Sequence, residues 1–249
     1  MLCAIISDIH SNQEALEAVL SAIDSLPVDA LYCLGDLVGY NADPDTCVDM
    51  ILSRANAVIR GNHDKAVSGL LNLDWFNRSA REAALWTRKV ILPATLPKVR
   101  KLPEGPMELE DGVLLCHGTP YDEDAYLMDA DSAKKSFAHM DERYPGARFC
   151  LHGHTHHPRV AVRTTRRNTP ELLPDRDEFD LVPDAAYLIN PGSVGQPRDG
   201  ITGASFGILD TTRLVYRNIR VAYDVRQTQG KIFGAGLPAD CARRLAEGR

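Results

Sequence analysis

The chain has 249 residues, 44% of them hydrophobic and 25% charged, with a formal net charge of -6. This is the balance of a soluble globular chain long enough for one large core or two small ones. The acidic balance excludes a general electrostatic grip on nucleic acid, leaving only a local basic groove open, and no apolar run approaches the roughly 20 residues that cross a bilayer. The run from Leu2 to Ile6 is too short for a signal peptide and is stopped by Asp8. Of the six cysteines, Cys3, Cys33, Cys116 and Cys150 lie in apolar, strand-like runs, Cys47 and Cys241 lie in helix-like segments, and no CxxC pair occurs. Small buried thiols fit this placement better than disulfides, and a reducing cytoplasm is the expected compartment.

In chain order, Leu2 to Ser7 reads as a buried strand. Gln13 to Leu26 places Ala15, Leu16, Val19, Leu20 and Ile23 at helical spacing, with Ser11 or Asn12 as the cap. Ala30 to Leu34 is a second strand, Asp45 to Arg54 a helix with Pro44 at its start, and Ala57 to Arg60 a third strand. Such a β-α-β-α-β series predicts right-handed parallel pairing. A helix follows over Arg78 to Val90, then a stretch punctuated by Pro93, Pro97, Pro103 and Pro106. Strands resume at Met107 to Leu109 and Val113 to Cys116, a helix covers Ser132 to Met140, and Phe149 to Leu151 and Arg159 to Arg163 are strands flanking a His-rich loop. Later strands are Ala186 to Ile189, Ser205 to Leu209 and Leu214 to Ile219, and Pro238 to Glu247 is an amphipathic helix. We read residues 1–249 as a single domain, with a proline- and charge-rich surface excursion at 166–184. Two packed sheets with helices outside are the most economical arrangement for so many strands.

Five polar clusters each sit at the end of a short apolar run: Asp8-Ile9-His10, Gly35-Asp36, Gly61-Asn62-His63-Asp64, His117-Gly118 and Gly153-His154-Thr155-His156. Singly, most have bland readings: a turn with a helix cap, a loop Gly-Asp, a structural histidine. Alternating imidazoles after Gly153 are harder to explain by packing. Ligands gather at the carboxyl ends of strands in open α/β sheets, so residues scattered along the chain can converge in one cleft. Two carboxylates, one amide oxygen and four imidazoles, with His63 left over, suit two adjacent divalent cations better than one. Paired cations point to attack of a metal-bound hydroxide on phosphorus, and so to a phosphoesterase.

The ordered set D-x-H, G-D, G-N-H-D, H and G-H-x-H resembles the calcineurin-like metallophosphoesterase superfamily over roughly residues 2 to 158. The loop Asn190-Pro191-Gly192-Ser193 is similar to its small bacterial members, phosphodiesterases and diadenosine-polyphosphate hydrolases. The resemblance implies an α/β (α+β) fold, a four-layer α-β-β-α sandwich of two mixed sheets flanked by helices. It implies that Asp8, His10 and His156 bind one metal, that Asn62, His117 and His154 bind a second, and that Asp36 bridges them and shares in catalysis. A bridging carboxylate lets two cations approach to about 3.5–4 Å, and both then acidify a shared water. His63 is expected outside the metal shell as a catalytic imidazole that protonates the leaving oxygen or stabilises its charge. The protein phosphatases of the superfamily carry G-D-x-V-D-R-G, whose Asp orients the catalytic His and whose Arg grips phosphate. Here the segment is Gly35-Asp36-Leu37-Val38-Gly39-Tyr40, so a phosphoprotein substrate is disfavoured and His63 needs another orienting group, with Asp43 and Asp64 as candidates.

The expected cofactors are two divalent ions, with Mn²⁺ leading and Fe, Ni, Co or Zn as alternatives. The expected partner is a small phosphorylated substrate, nucleotides included; no membrane is expected, no protein partner is identified, and a homo-oligomer is compatible. Competing readings are a catalytically silent metal-binding scaffold and a nuclease. Arg198 reads as a surface arginine in preference to a phosphate contact, and Arg163, Arg166 and Arg167 as a solvated basic spot. His139 reads as exposed, and His152 and His157, which adjoin the metal motif, as strand-end packing or as supports for the metal ligands. Trp75 and Trp86 read as core or interface residues in preference to the wall of a nucleobase pocket.

Overall fold

Alternation in the first strand, β1 (Leu2–Ile6), sets the plan of the molecule. The structure is a computed structural model and describes every residue except Asn168. Cys3 and Ile5 enter one apolar layer while Ala4 and Ile6 enter another, and all four are buried. A strand covered on both faces reads as an unbroken apolar run, which is why this segment shows no polar alternation. The same division recurs in β2 (Ala30–Cys33): Ala30 and Tyr32 join the layer of Cys3, and Leu31 and Cys33 the layer of Ala4.

Two crossover helices, α1 (Gln13–Asp24) and α2 (Pro44–Arg54), connect β1, β2 and β3 (Ala57–Val58), which pair in parallel. Asn12 caps α1, its Oδ1 accepting from the Ala15 amide at 3.2 Å. The apolar stripe Ala15, Leu16, Val19, Leu20 and Ile23 packs on the outer face of the sheet. Antiparallel strands β11 (Ala204–Asp210) and β12 (Val215–Val221), with β9 (Glu178–Asp180) at the edge, complete a six-stranded mixed sheet in the order β3-β2-β1-β11-β12-β9.

The second six-stranded sheet runs β4 (Met107–Glu108), β5 (Val113–Leu115), β6 (Phe149–Leu151), β10 (Ala185–Pro191), β7 (Pro158–Thr164), β8 (Glu171–Leu172). Its outer face is covered by α6 (Ala130–Arg143), through Ala133, Phe137 and Met140 against Leu114, Cys150 and Leu188. Between the sheets, Ile5, Tyr32 and Leu34 meet Leu115, Phe149, Leu151, Tyr187 and Ile189. The result is the expected α-β-β-α sandwich. All six cysteines are buried and unpaired, and no described helix is long and apolar enough to cross a membrane.

Short elements depart from the expectations. The strand expected to reach Arg60 pairs only over Ala57–Val58, because α3 (Asn62–Ser68) starts directly after Gly61. The proline-punctuated stretch contains α5 (Leu96–Arg100). An unexpected helix, α7 (Val225–Gly234), packs with α4 (Arg78–Val90) and α8 (Ala239–Glu247) around Tyr40. Segment 166–184 does more than skirt the surface: it adds β8 to one sheet and β9 to the other, and buries Leu181 between them. Strands of two or three residues carry no periodicity to read, so these ties were hidden in the sequence.

Candidate metal centre

Each predicted donor follows the carboxyl end of a strand, and the two sheets bring them to one place. Asp8 and His10 follow β1, Asp36 follows β2, and Asn62 follows β3; His117 follows β5, and His154 and His156 follow β6. The donor atoms of Asp8, His10 and His156 lie within 4.8 Å of one another, as do those of Asp36, His117 and His154. Asp36 stands between the groups: its Oδ2 is 3.6 Å from His10 Nε2 and 3.4 Å from His117 Nε2. Asn62 Oδ1 is 3.1 Å from His117 Nε2. All are buried except Asn62, which is half-buried.

The imidazoles are aimed by backbone carbonyls. His10 Nδ1 faces Val38 O at 3.1 Å, His156 Nδ1 faces Gln196 O at 2.6 Å, and His117 Nδ1 faces Leu34 O at 2.7 Å. Each Nδ1 proton is thereby committed, and each Nε2 is directed at the cluster. For His154 the roles exchange: Nε2 faces Asp124 O at 3.1 Å, leaving Nδ1 for a cation. Such N–H to carbonyl pairs fix the tautomer of metal-binding histidines. Two Nε2 atoms, of His10 and His156, stand 3.2 Å apart, and Asp8 Oδ1 is buried with no hydrogen-bond donor. Lone pairs converging without protons between them fit divalent cations.

Backbone strain is concentrated here. Asp8, His10, Ser11, Asp36, Tyr40, His154 and His156 have φ between 49° and 66°, and among the described non-glycine residues only Asp111 and Leu214 share that region elsewhere. Left-handed conformations cost about 1–3 kcal/mol each at such residues, so tertiary contacts must enforce them. The loop after β10 does part of that work. Asn190 Nδ2 donates to Gly153 O at 2.8 Å and to Thr155 Oγ1 at 3.0 Å, and Ser193 Oγ donates to Asp8 O at 2.8 Å. Gly61 is required for close approach, since a Cβ there would collide with the Asp36 carboxylate.

Burial tends to raise the Asp36 and Asp8 carboxyls, but neighbouring imidazoles, His117 for Asp36 and His156 for Asp8, hold both well below the usual range. For His117 burial acts the other way and opposes protonation, yet the Asp36 carboxylate pushes it up to about 10. Desolvation drives His10 well down, His154 down to about 3, and His156 down too. One proton on His117 therefore balances part of the carboxylate charge, and it is the proton a cation must displace.

His63 lies beside the donors, its amide donating to Asp36 Oδ1 at 2.8 Å. Neither expected orienting carboxylate reaches it. Asp64 Oδ1 accepts from the Leu37 amide at 2.9 Å and its Oδ2 from the Gly61 amide at 2.9 Å, while Asp43 pairs with Lys231 at 2.8 Å. Aromatic packing positions the imidazole instead: Tyr40, Phe76 and His10 have ring centroids 4.6, 4.8 and 4.8 Å away. Nδ1 is buried without a partner, and a Cβ at Gly39 would stand 2.5 Å from it. Burial lowers the His63 pKa to about 4. Arg198 holds Tyr40 from behind, Nη2 donating to the Tyr40 hydroxyl at 3.3 Å and to Gln196 Oε1 at 3.1 Å. With its Nε buried, Arg198 is no ordinary surface arginine.

Other sequence-level readings divide. His152 is buried, its Nδ1 3.3 Å from Asn190 Nδ2, and His157 is half-buried at the start of β7. His139 is half-buried, short of the exposure expected. Arg163 forks onto Asp141 at 2.6 Å twice, while Arg166 and Arg167 are exposed, as a solvated basic spot requires. Trp86 packs against the α4–α7–α8 cluster, but Trp75 is 93% exposed and belongs to no core. It lines a cavity of about 340 Å³ with Asn62, His63, Phe76, Tyr126 and His154. Sequence reasoning missed Tyr126 and the role of Tyr40; for Tyr40 the Gly39-Tyr40 pair after Asp36 was the available signal, and for Tyr126 there was none.

Comparison with known proteins identifies the family and the fold. The calcineurin-like phosphoesterase superfamily domain matches residues 1–214. An uncharacterized protein of Methanocaldococcus jannaschii is 38% identical, covering 100% of this chain and 98% of its own length. A crystal structure of a metallophosphoesterase from Sphaerobacter thermophilus superposes with a TM-score of 0.84 at 36% identity, covering 100% of this chain and 99% of that one. A hypothetical protein from Pyrococcus horikoshii OT3 shares the fold, with a TM-score of 0.78 at 18% identity over 100% and 98% of the two chains.

Proposed function

The chain belongs to the calcineurin-like phosphoesterase superfamily, whose members are metal-dependent phosphoesterases, and we propose that it hydrolyses a small phosphoester at two adjacent divalent cations. The observation that carries this reading is the Asp36 carboxylate, with one oxygen within 3.6 Å of an imidazole nitrogen from each donor group. Asp8, His10 and His156 would hold one cation, Asn62, His117 and His154 the other, and Asp36 both. Cations there supply an acidified water and neutralise charge on the phosphoryl oxygens. Asn62 contributes a neutral oxygen, which limits the negative charge that an anionic ester meets.

His63 acts as a neutral imidazole. With Nδ1 enclosed by Gly39, Nε2 is the nitrogen left to the cavity, and its N–H donates a hydrogen bond that stabilises the charge developing on the leaving oxygen. The aromatic box of Tyr40 and Phe76 keeps that edge in place without a carboxylate, so no fixed negative charge is added next to the ester. Imidazole, carboxylate and amide donors without thiolate favour Mn²⁺ over softer ions. A screen of phosphomonoesters, phosphodiesters and nucleoside polyphosphates with Mn²⁺, Fe²⁺, Ni²⁺, Co²⁺ or Zn²⁺ tests the reading. Metal-dependent turnover of at least one class is expected; no hydrolysis of any ester with any of these ions would overturn it.

A further inference from the structure

Trp75 is the most exposed large apolar side chain among the described residues, yet it lies at the wall of the cavity that also contains Asn62, His63 and His154. A tryptophan that buries almost none of its ring contributes nothing to the core, so its apolar face remains to be covered by something else. The same cavity carries a second open ring. Tyr126 is 53% exposed and lies nearly parallel to His154, with centroids 4.1 Å apart at 19°, which fixes the plane it presents. Leu71 and Phe76 supply further apolar wall, and about 340 Å³ is at the lower end of pockets that take small organic ligands.

From this arrangement we infer that the cavity is a stacking site for a flat aromatic group, a nucleobase, of the phosphoester being hydrolysed. The inference rests on the phosphoesterase reading and names its substrate class: nucleoside phosphoesters in preference to alkyl ones. Aromatic side chains grip bases because every base has a π-face, and such stacking tolerates base identity. The charges around the cavity permit an anionic ligand. Asp124, the acidic residue in its wall, is neutralised by Lys65 Nζ at 2.6 Å, and Lys65 also meets Glu123 at 2.8 Å. Asn77 uses Oδ1 to cap α4 at 3.0 Å, and its amide N–H groups have no acceptor among the described residues, which leaves donors for a base edge. His154 joins the two functions, since one of its faces is covered by Tyr126 while its ring belongs to the donor cluster.

The test compares adenosine 5′-monophosphate and a dinucleotide phosphodiester with glycerol 3-phosphate and a dialkyl phosphodiester, using the full-length protein loaded with Mn²⁺. Wild type should prefer the nucleoside esters, and Trp75→Ala or Tyr126→Ala should reduce that preference in kcat/KM about tenfold, mainly through KM. Trp75→Phe, which keeps a ring, should retain most of it. Binding is read separately: adenosine 5′-monophosphate should quench tryptophan fluorescence saturably, glycerol 3-phosphate should not, and Trp75→Phe should remove the quench. Equal loss on both kinds of ester, or nucleotide binding without a quench attributable to Trp75, overturns the stacking site while leaving the phosphoesterase reading intact. A quench with no hydrolysis of any ester would overturn the phosphoesterase reading and leave the stacking site standing.

Discussion

Two cavities invite opposite readings of this molecule. The larger, about 570 Å³, lies at the open edge between the sheets beneath segment 166–184, among Arg159, Arg176, Arg220 and Asp199. The smaller, about 340 Å³, lies beside the donor cluster. Size favours the first and physical chemistry the second. In the larger cavity Arg220 is paired with Asp199 and also donates to Gly203 O at 3.1 Å. Around the smaller one sit the left-handed residues Tyr40 and His154 and the unpartnered His63 Nδ1. The remaining buried atoms without hydrogen bonds, on Ser7, Asp8, Ser11, Asn41, Gln196 and Arg198, belong to the loops that carry or brace the donors. A fold that concentrates strain and unsatisfied polar atoms around one cluster is identifying the place where another molecule or ion completes it.

Breaking the donor cluster should therefore have the largest consequence. Asp36→Asn removes the charge shared by both donor groups, and kcat/KM should fall by about 10³-fold or more, with metal content reduced in elemental analysis. Retained metal and activity would exclude a central role for Asp36. Next in size, His63→Ala should lower kcat by about 10²–10⁴-fold while metal content stays at the wild-type level. Loss of metal in that variant would place His63 among the ligands instead. Acidity supplies a graded test of the same cluster. Because Asp36 holds the His117 pKa up at about 10, the cation-free site is protonated there at neutral pH, and a cation must displace that proton. Metal affinity should accordingly rise with pH, about tenfold per unit between pH 6 and 8, measured by competition with a chelator. A flat profile would mean that His117 is already neutral without metal.

The donor cluster was legible in the sequence because its chemistry is local: Asp8-x-His10, Gly61-Asn62-His63 and Gly153-His154-Thr155-His156 are short words at the ends of apolar runs. The sheets were legible because both faces of β1, β2 and β6 are buried and their runs are unbroken. What orients His63 was not legible. Phe76 and Tyr40 reach it from segments whose meeting depends on how α3 and α4 pack, and a ring-to-ring contact leaves no spacing to read. The core reading of Trp75 failed for a related reason, since tryptophan in a globular chain is usually well buried and only the structure shows this one uncovered. Tyr126 comes from an irregular stretch before α6, where no periodicity separates a surface ring from a site ring.

The smallest effect belongs to the larger cavity, and it completes the comparison. Arg220 is about one-quarter exposed and Asp199 less so, and the guanidinium bridges Asp199 on one loop to the Gly203 carbonyl just before β11. Arg220→Ala leaves that carboxylate and that carbonyl to water, with partial solvation limiting the loss to about 1–2 kcal/mol of stability. In a chain of this size that corresponds to a fall in Tm of about 2–8 °C. Because Arg220 touches neither the donors nor the residues around His63, kcat/KM should stay within about twofold of wild type on every ester. A tenfold loss of activity at unchanged Tm would reverse the assignment, since it would mean that the larger cavity, despite its Arg220–Asp199 pair, takes part in the reaction.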